Sequence, residues 1–186
     1  MTRTRAALLA ASALIAEPLR CDGTFAAQLQ ILAPLTAPVP DEPSSNNVVL
    51  GQGVRPLLDD LLKHSPFFEA QWRRVLGARQ LALQISFAHP EDVAGGLAAT
   101  HLSMDAQGLR RAHVRLAAAG RRNAEVLAHE LEHVLEFLDG ASVPSRARQG
   151  DRSVSWGHDT GETARAVHAG RQAAHEYARN TLRAAR

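Results

Sequence analysis

The 186-residue chain is 45% hydrophobic and 22% charged, an ordinary globular composition whose length suits one domain with a real core. Its formal charge is only +2 and its arginines are spread along the chain, so nucleic acid is not the expected partner. A single cysteine, Cys21, excludes an internal disulfide framework and a cysteine zinc cluster, so any metal must be held by histidine and carboxylate.

At the N-terminus, Arg3 and Arg5 precede an apolar run from Ala6 to Ala16. This matches a secretory signal and is too short to span a membrane, which makes residues 1–21 an export signal or, alternatively, a retained first helix. Without that signal the chain is expected to be cytoplasmic; with it, periplasmic or secreted. Residues 22–53 hold Pro34, Pro38, Pro40, Pro43, Ser44, Ser45, Asn46 and Asn47 and read as an extended arm, with the domain occupying residues 54–186.

From Pro56 to about Lys63, Leu57, Leu58, Leu61 and Leu62 recur at helical spacing, and Ser65-Pro66 restarts a second helix with Ser65 as its cap. Few aromatics are available, so Phe67, Phe68, Trp72, Phe87 and Phe137 are the large pieces of a core otherwise made of aliphatic residues. Leu81, Leu83, Ile85 and Phe87 alternate with Ala82, Gln84, Ser86 and Ala88, the period of a strand with one buried face. Gly95-Gly96 marks a loop. Thr100, Leu102 and Met104, then Ala112, Val114 and Leu116, alternate around the turn residues Asp105 to Gly108 and predict a hairpin.

Asn123 is placed to cap a helix over Ala124 to Leu138, which Asp139-Gly140 closes with a left-handed glycine. Inside it lies His129-Glu130-Leu131-Glu132-His133. Residues four apart on a helix differ by about 40° of rotation and one turn of rise, so His129 and His133 can reach one cation. Glu130 points roughly 100° from His129, outside the ligand set but within reach of a metal-bound water, where it can act as a base. The surrounding Leu127, Ala128, Leu131, Val134, Leu135 and Leu138 make the helix apolar on several sides, and charged groups are seldom buried there without a metal or a partner. Glu136 can accept a hydrogen bond from a ligand imidazole or pair with an arginine, although a solvated surface glutamate is the plainer expectation. Residues 141–161 lack sustained periodicity and read as a long loop, and Glu162 opens a last helix.

A sheet followed by a helix carrying His-Glu-x-x-His resembles the N-terminal half of a zincin metallopeptidase domain over about residues 57–180. The resemblance implies an α+β fold with a small, mostly antiparallel sheet of about three strands packed on the metal helix, and a further C-terminal helix. It also implies a Zn2+ ion on His129, His133 and a third ligand, with Glu130 as general base and a peptide or protein as substrate. Glu162 in the third role resembles the gluzincin pattern; its alternative is an acidic residue favoured by a helix dipole. Ala166, Ala169 and Ala173 share the face of Glu162 and allow its helix to approach the metal helix closely.

The competing third ligand is Asp139, six positions after His133 as in extended zincin motifs. With Glu136 in place of a helix-breaking glycine, Asp139 is carried about 240° round from His133. His158, His168, His175 and Tyr177 are candidates to stabilise an oxyanion, with solvent exposure expected for His168 and His175. The strand from Ala99 to Met104 is a candidate edge for pairing with extended peptide, or else an ordinary edge protected by His101 and Ser103. Arg165, Arg171, Arg179, Arg183 and Arg186 do not form one stripe and read as a solvated helix surface. The function expected is a zinc hydrolase, against a non-catalytic zinc-stabilised module as the alternative.

Overall fold

The computed structural model describes residues 47–93, 97–117, 122–157 and 160–186. The expected export signal, Cys21, most of the arm, Gly95-Gly96 and His158 lie outside the described residues. Among the described residues, no helix is long and apolar enough to cross a membrane.

The chain enters through a short strand β1 (Val48–Leu50), so the sheet begins inside the stretch expected to be an extended arm. Val48, Val49 and Leu50 are apolar and two are β-branched, which suits a strand better than an arm. Two helices follow, α1 (Val54–His64) and α2 (Pro66–Gly77), joined at Ser65. The Ser65 hydroxyl accepts the Phe68 N–H at 3.1 Å and Pro66 takes the first turn, so the expected cap is the one formed. Strand β2 (Leu81–Ala88) has the expected bounds and buries Leu81, Leu83 and Ile85 in alternation, while Phe87 is only partly buried. After a 3-10 turn over Pro90–Val93, β3 (Ala98–Met104) and β4 (Arg110–Ala117) form the expected antiparallel hairpin.

The sheet is mixed rather than mostly antiparallel, with strand order β1-β2-β4-β3. β1 runs parallel to β2 and β2 runs parallel to β4; only β3 and β4 are antiparallel. The parallel pairs follow from connection length: α1 and α2 carry the chain back between β1 and β2, and β3 does so between β2 and β4. β3 is therefore an edge strand. Leu83 stands opposite Ala112, Ile85 opposite Val114 and Phe87 opposite Leu116, so one face presents a continuous apolar surface. That surface joins Leu61, Phe68, Leu127, Leu131 and Leu135 in one core.

Helix α3 (Asn123–Leu138) begins at Asn123 itself, with Arg122 preceding it and no side-chain cap. It ends as expected at Gly140, whose φ of 76° is the left-handed conformation, with Ala141 N–H donating back to the Glu136 carbonyl at 2.8 Å. The expected long loop instead contains α4 (Val143–Arg148) and a hairpin of β5 (Val154–Gly157) and β6 (Thr160–Thr163). Ser142 caps α4, with Pro144 in its first turn, a signal short enough to pass as loop chemistry. The last helix, α5 (Ala164–Ala184), packs chiefly against α3 through buried Ala166, Ala169, Gly170 and Ala173. Glu162 thus lies on β6 and not on the helix, because Thr163 takes the cap and its hydroxyl accepts the Ala166 N–H at 3.0 Å.

Candidate metal centre

Helix α3 presents His129 and His133 one turn apart, both buried, with ring centroids 5.0 Å apart and planes at 78°. Strand β6 brings Glu162 to them: its Oε2 lies 3.2 Å from His129 Nε2 and its Oε1 3.8 Å from His133 Nε2. One ligand atom from each of the three residues falls within 4.8 Å of the other two, so the three can hold a metal ion. Tetrahedral ligands at about 2.0–2.2 Å from a cation are separated by roughly 3.3 Å, close to the His129 contact and somewhat less than the His133 one. His133 Nε2 is buried with no hydrogen bond among the described residues, and Glu162 faces it from across the site while its Oε2 meets His129 Nε2. An orphaned imidazole lone pair turned toward a carboxylate fits a shared cation better than it fits the carboxylate alone.

The orientation of His133 has a visible cause. Glu136 Oε2 lies 3.2 Å from His133 Nδ1, and since a carboxylate only accepts, the imidazole donates from Nδ1 and keeps its lone pair on Nε2. Glu136 is 1% exposed, so it is not the solvated surface residue expected. Its side chain, in the last turn of α3, lies against β6 and α4, elements that the periodicity of residues 141–161 did not reveal.

Burial pulls the His129 imidazole toward its neutral form, but the hydrogen bond to Glu162 and the charges of Glu130, Glu162 and Glu125 outweigh it and raise its pKa above the ordinary value. The same carboxylates that favour a proton on His129 favour a cation in its place. Glu130 is 3% exposed, and one of its oxygens, Oε2, accepts the Thr100 hydroxyl at 2.5 Å. Thr100 lies within edge strand β3, so that strand adjoins α3 beside Glu130. Comparison of the chain with protein-family models, with curated proteins and with solved structures finds no match. The centre is read from its own chemistry.

Asp139 stands apart from this centre. It bridges two arginines, accepting from Arg74 Nη2 at 2.7 Å and from Arg165 Nη1 at 2.9 Å. His168 and His175 are exposed, and the Tyr177 hydroxyl donates to Asp60 of α1. His101 is buried and contacts Arg115. Among the arginines expected to be solvated, Arg165 is exposed as expected and also reaches the buried Glu132 through Nε. Thr100, Thr163 and Arg146 escaped sequence reasoning. A threonine ahead of an alanine-rich helix is a cap signal that would have found Thr163 and moved Glu162 outside the helix.

Proposed function

We propose that the chain is a zinc-dependent hydrolase of the zincin type, a metallopeptidase with the gluzincin ligand pattern. His129, His133 and Glu162 are its ligands and Glu130 is its general base and then acid. The observation that supports this reading most is the meeting of Glu162 with both histidines, at 3.2 and 3.8 Å, from an element separate from α3. Chance on a polar helix face does not require a third donor to arrive from elsewhere.

A zinc ion held there supplies Lewis acidity and brings the pKa of a water toward ~7. Glu130 supplies the proton transfer. Thr100 occupies Oε2, which leaves Oε1 as the atom to take a proton from the attacking water and return it to the leaving amine. Glu136 and Thr163 hold His133 and the end of β6 in place, and the buried flank of α3 excludes bulk water. A peptide substrate suits the β3 edge, whose backbone is unpaired on its outer side among the described residues, runs beside Thr100 and can pair with an extended chain.

The test is Glu130→Gln. Metal stoichiometry is expected to stay that of the wild type while hydrolysis of a peptide library falls by about 10²–10⁴-fold. Retained hydrolysis in that variant defeats the assignment. The second reading, a zinc-stabilised module without turnover, is favoured by the depth of the site: both histidines are buried, and only Glu162, its side chain 23% exposed, opens toward solvent. Wild-type protein that binds zinc, loses thermal stability on chelation and hydrolyses nothing decides for that reading.

A further inference from the structure

Glu136 does more than orient one imidazole. Its two oxygens face two different parts of the molecule. Oε2 accepts from His133 Nδ1 at 3.2 Å and from Thr163 Oγ1 at 3.0 Å, and Thr163 directly follows Glu162. Oε1 faces Arg146 Nη1 of α4 at 3.5 Å. Arg146 donates in turn through Nε to Asp151 Oδ2 at 2.9 Å and through Nη2 to Ser153 Oγ at 2.9 Å, at the entry to β5. One buried side chain therefore links the donor set to the whole excursion between α3 and α5.

Charge makes this link conditional. Glu130, Glu136 and Glu162 place three carboxylates around two imidazoles, and Arg146 is the cation that meets Glu136. A buried carboxylate with so little compensation is costly, and a divalent cation on His129, His133 and Glu162 offsets the excess. We propose that Glu136 is a positioning residue that couples occupancy of the metal centre to closure of residues 143–157 against α3. The proposal rests on the reading of His129, His133 and Glu162 as metal ligands. In it, the ion fixes His133, His133 fixes Glu136 Oε2, and Glu136 Oε1 then anchors Arg146 and, through Asp151 and Ser153, the start of β5.

Hydrogen exchange of the full chain with and without Zn2+, compared with Arg146→Met and Glu136→Gln, tests this. If opening of the segment requires release of the ion, zinc at 100 times its Kd slows wild-type exchange over 143–157 by up to about 100-fold. Arg146→Met, which touches no ligand, is expected to keep zinc affinity and lose that slowing. Glu136→Gln is expected to weaken zinc binding by about 10–100-fold and to shift the d–d bands of the Co2+-substituted protein, a signature that a merely structural role leaves unmoved. Zinc bound tightly in the wild type with no change in exchange over 143–157 overturns the coupling and leaves the metal centre standing. Glu136→Gln with wild-type zinc affinity and Co2+ spectrum overturns the positioning role. A wild-type chain that binds no zinc removes the metal reading and this proposal together.

Discussion

Helix α3 buries two glutamates one turn apart, Glu132 and Glu136, and their surroundings differ in kind. Glu132 closes a charge network: Gln71 donates to it at 2.5 Å, Arg165 pairs with it, and Arg165 and Arg74 share Asp139 beyond. Every charged group in that network faces an opposite charge or a matched donor. Glu136 instead holds the Nδ1 side of His133, whose Nε2 is buried with no hydrogen bond among the described residues. The Glu132 network, in which Gln71 Oε1 alone lacks a hydrogen bond among the described residues, clamps α2, α3 and α5 together; the Glu136 side ends on an imidazole nitrogen that, on the proposed reading, takes an ion. On the proposed reading, the same helix, with the same residue type, serves structure on one side and binding on the other.

The sharpest way to break the comparison is to remove one member from each side. His133→Ala is expected to lower zinc affinity by more than about 100-fold, beyond the range seen when only an outer partner of a ligand is lost. Competition with a chromophoric chelator measures it, and an unchanged affinity would take His133 out of the centre. Glu132→Ala is expected to leave zinc stoichiometry intact and to cost about 2–3 kcal/mol in denaturant unfolding, since Gln71 and Arg165 lose a charged acceptor. Arg165 keeps Asp139 and is partly solvated, which holds the cost below that of a fully buried unpaired charge. Zinc loss in Glu132→Ala would show that the two networks are one.

Gly170 sharpens the contrast, because it lies where α5 crosses α3 beside His129. A Cβ there would meet the Glu125 carbonyl at 2.8 Å and His129 Cβ at 3.1 Å, and backbone cannot move aside cheaply. Alanine gains about 1 kcal/mol of helix preference, but overpacking of about 1–3 kcal/mol outweighs it. Gly170→Ala is therefore expected to lower the thermal midpoint by a few degrees and to weaken zinc as well, since α5 follows directly on Thr163 and Glu162. A drop in stability with zinc affinity untouched would mean that the α3–α5 spacing does not set the donor geometry.

Much of this was legible in residue patterns. Leu81–Ala88 alternates strictly, Ser65-Pro66 is a strong restart signal, and His129 with His133 needs only helical spacing to converge. The helix-rotation argument that turned Asp139 away also holds, because α3 runs unbroken to Leu138. What was hidden depends on contacts distant in sequence. The parallel pairing of β1, β2 and β4 leaves no local mark, since parallel and antiparallel strands share a period. α4 and the β5–β6 hairpin are too short for periodicity to rise above turn chemistry, and with them hidden, Glu136 had no visible partner and read as a surface residue.

The smallest effect is expected far from both networks, where a third glutamate ties α5 to α2. Glu176 Oε2 accepts the Phe67 N–H at 2.8 Å and the Ser65 hydroxyl at 3.0 Å, at the N-terminus of α2. Burial pushes its carboxyl pKa up, but the bonds from Phe67, Gln172 and Ser65 and the charge of Arg179 pull harder, so it lies below the ordinary value. A carboxylate with a depressed folded-state pKa stabilises above its unfolded pKa of about 4.3 and loses that contribution as pH falls through the folded value. Glu176→Gln is expected to cost about 1 kcal/mol at neutral pH, the size of a helix-terminus charge interaction, with zinc affinity unchanged. Unfolding measured from neutral pH downward should show the gap between wild type and variant narrowing below about pH 4, because protonation removes from the wild type what the amide already lacks. A gap constant across that range would assign the effect to packing rather than to charge.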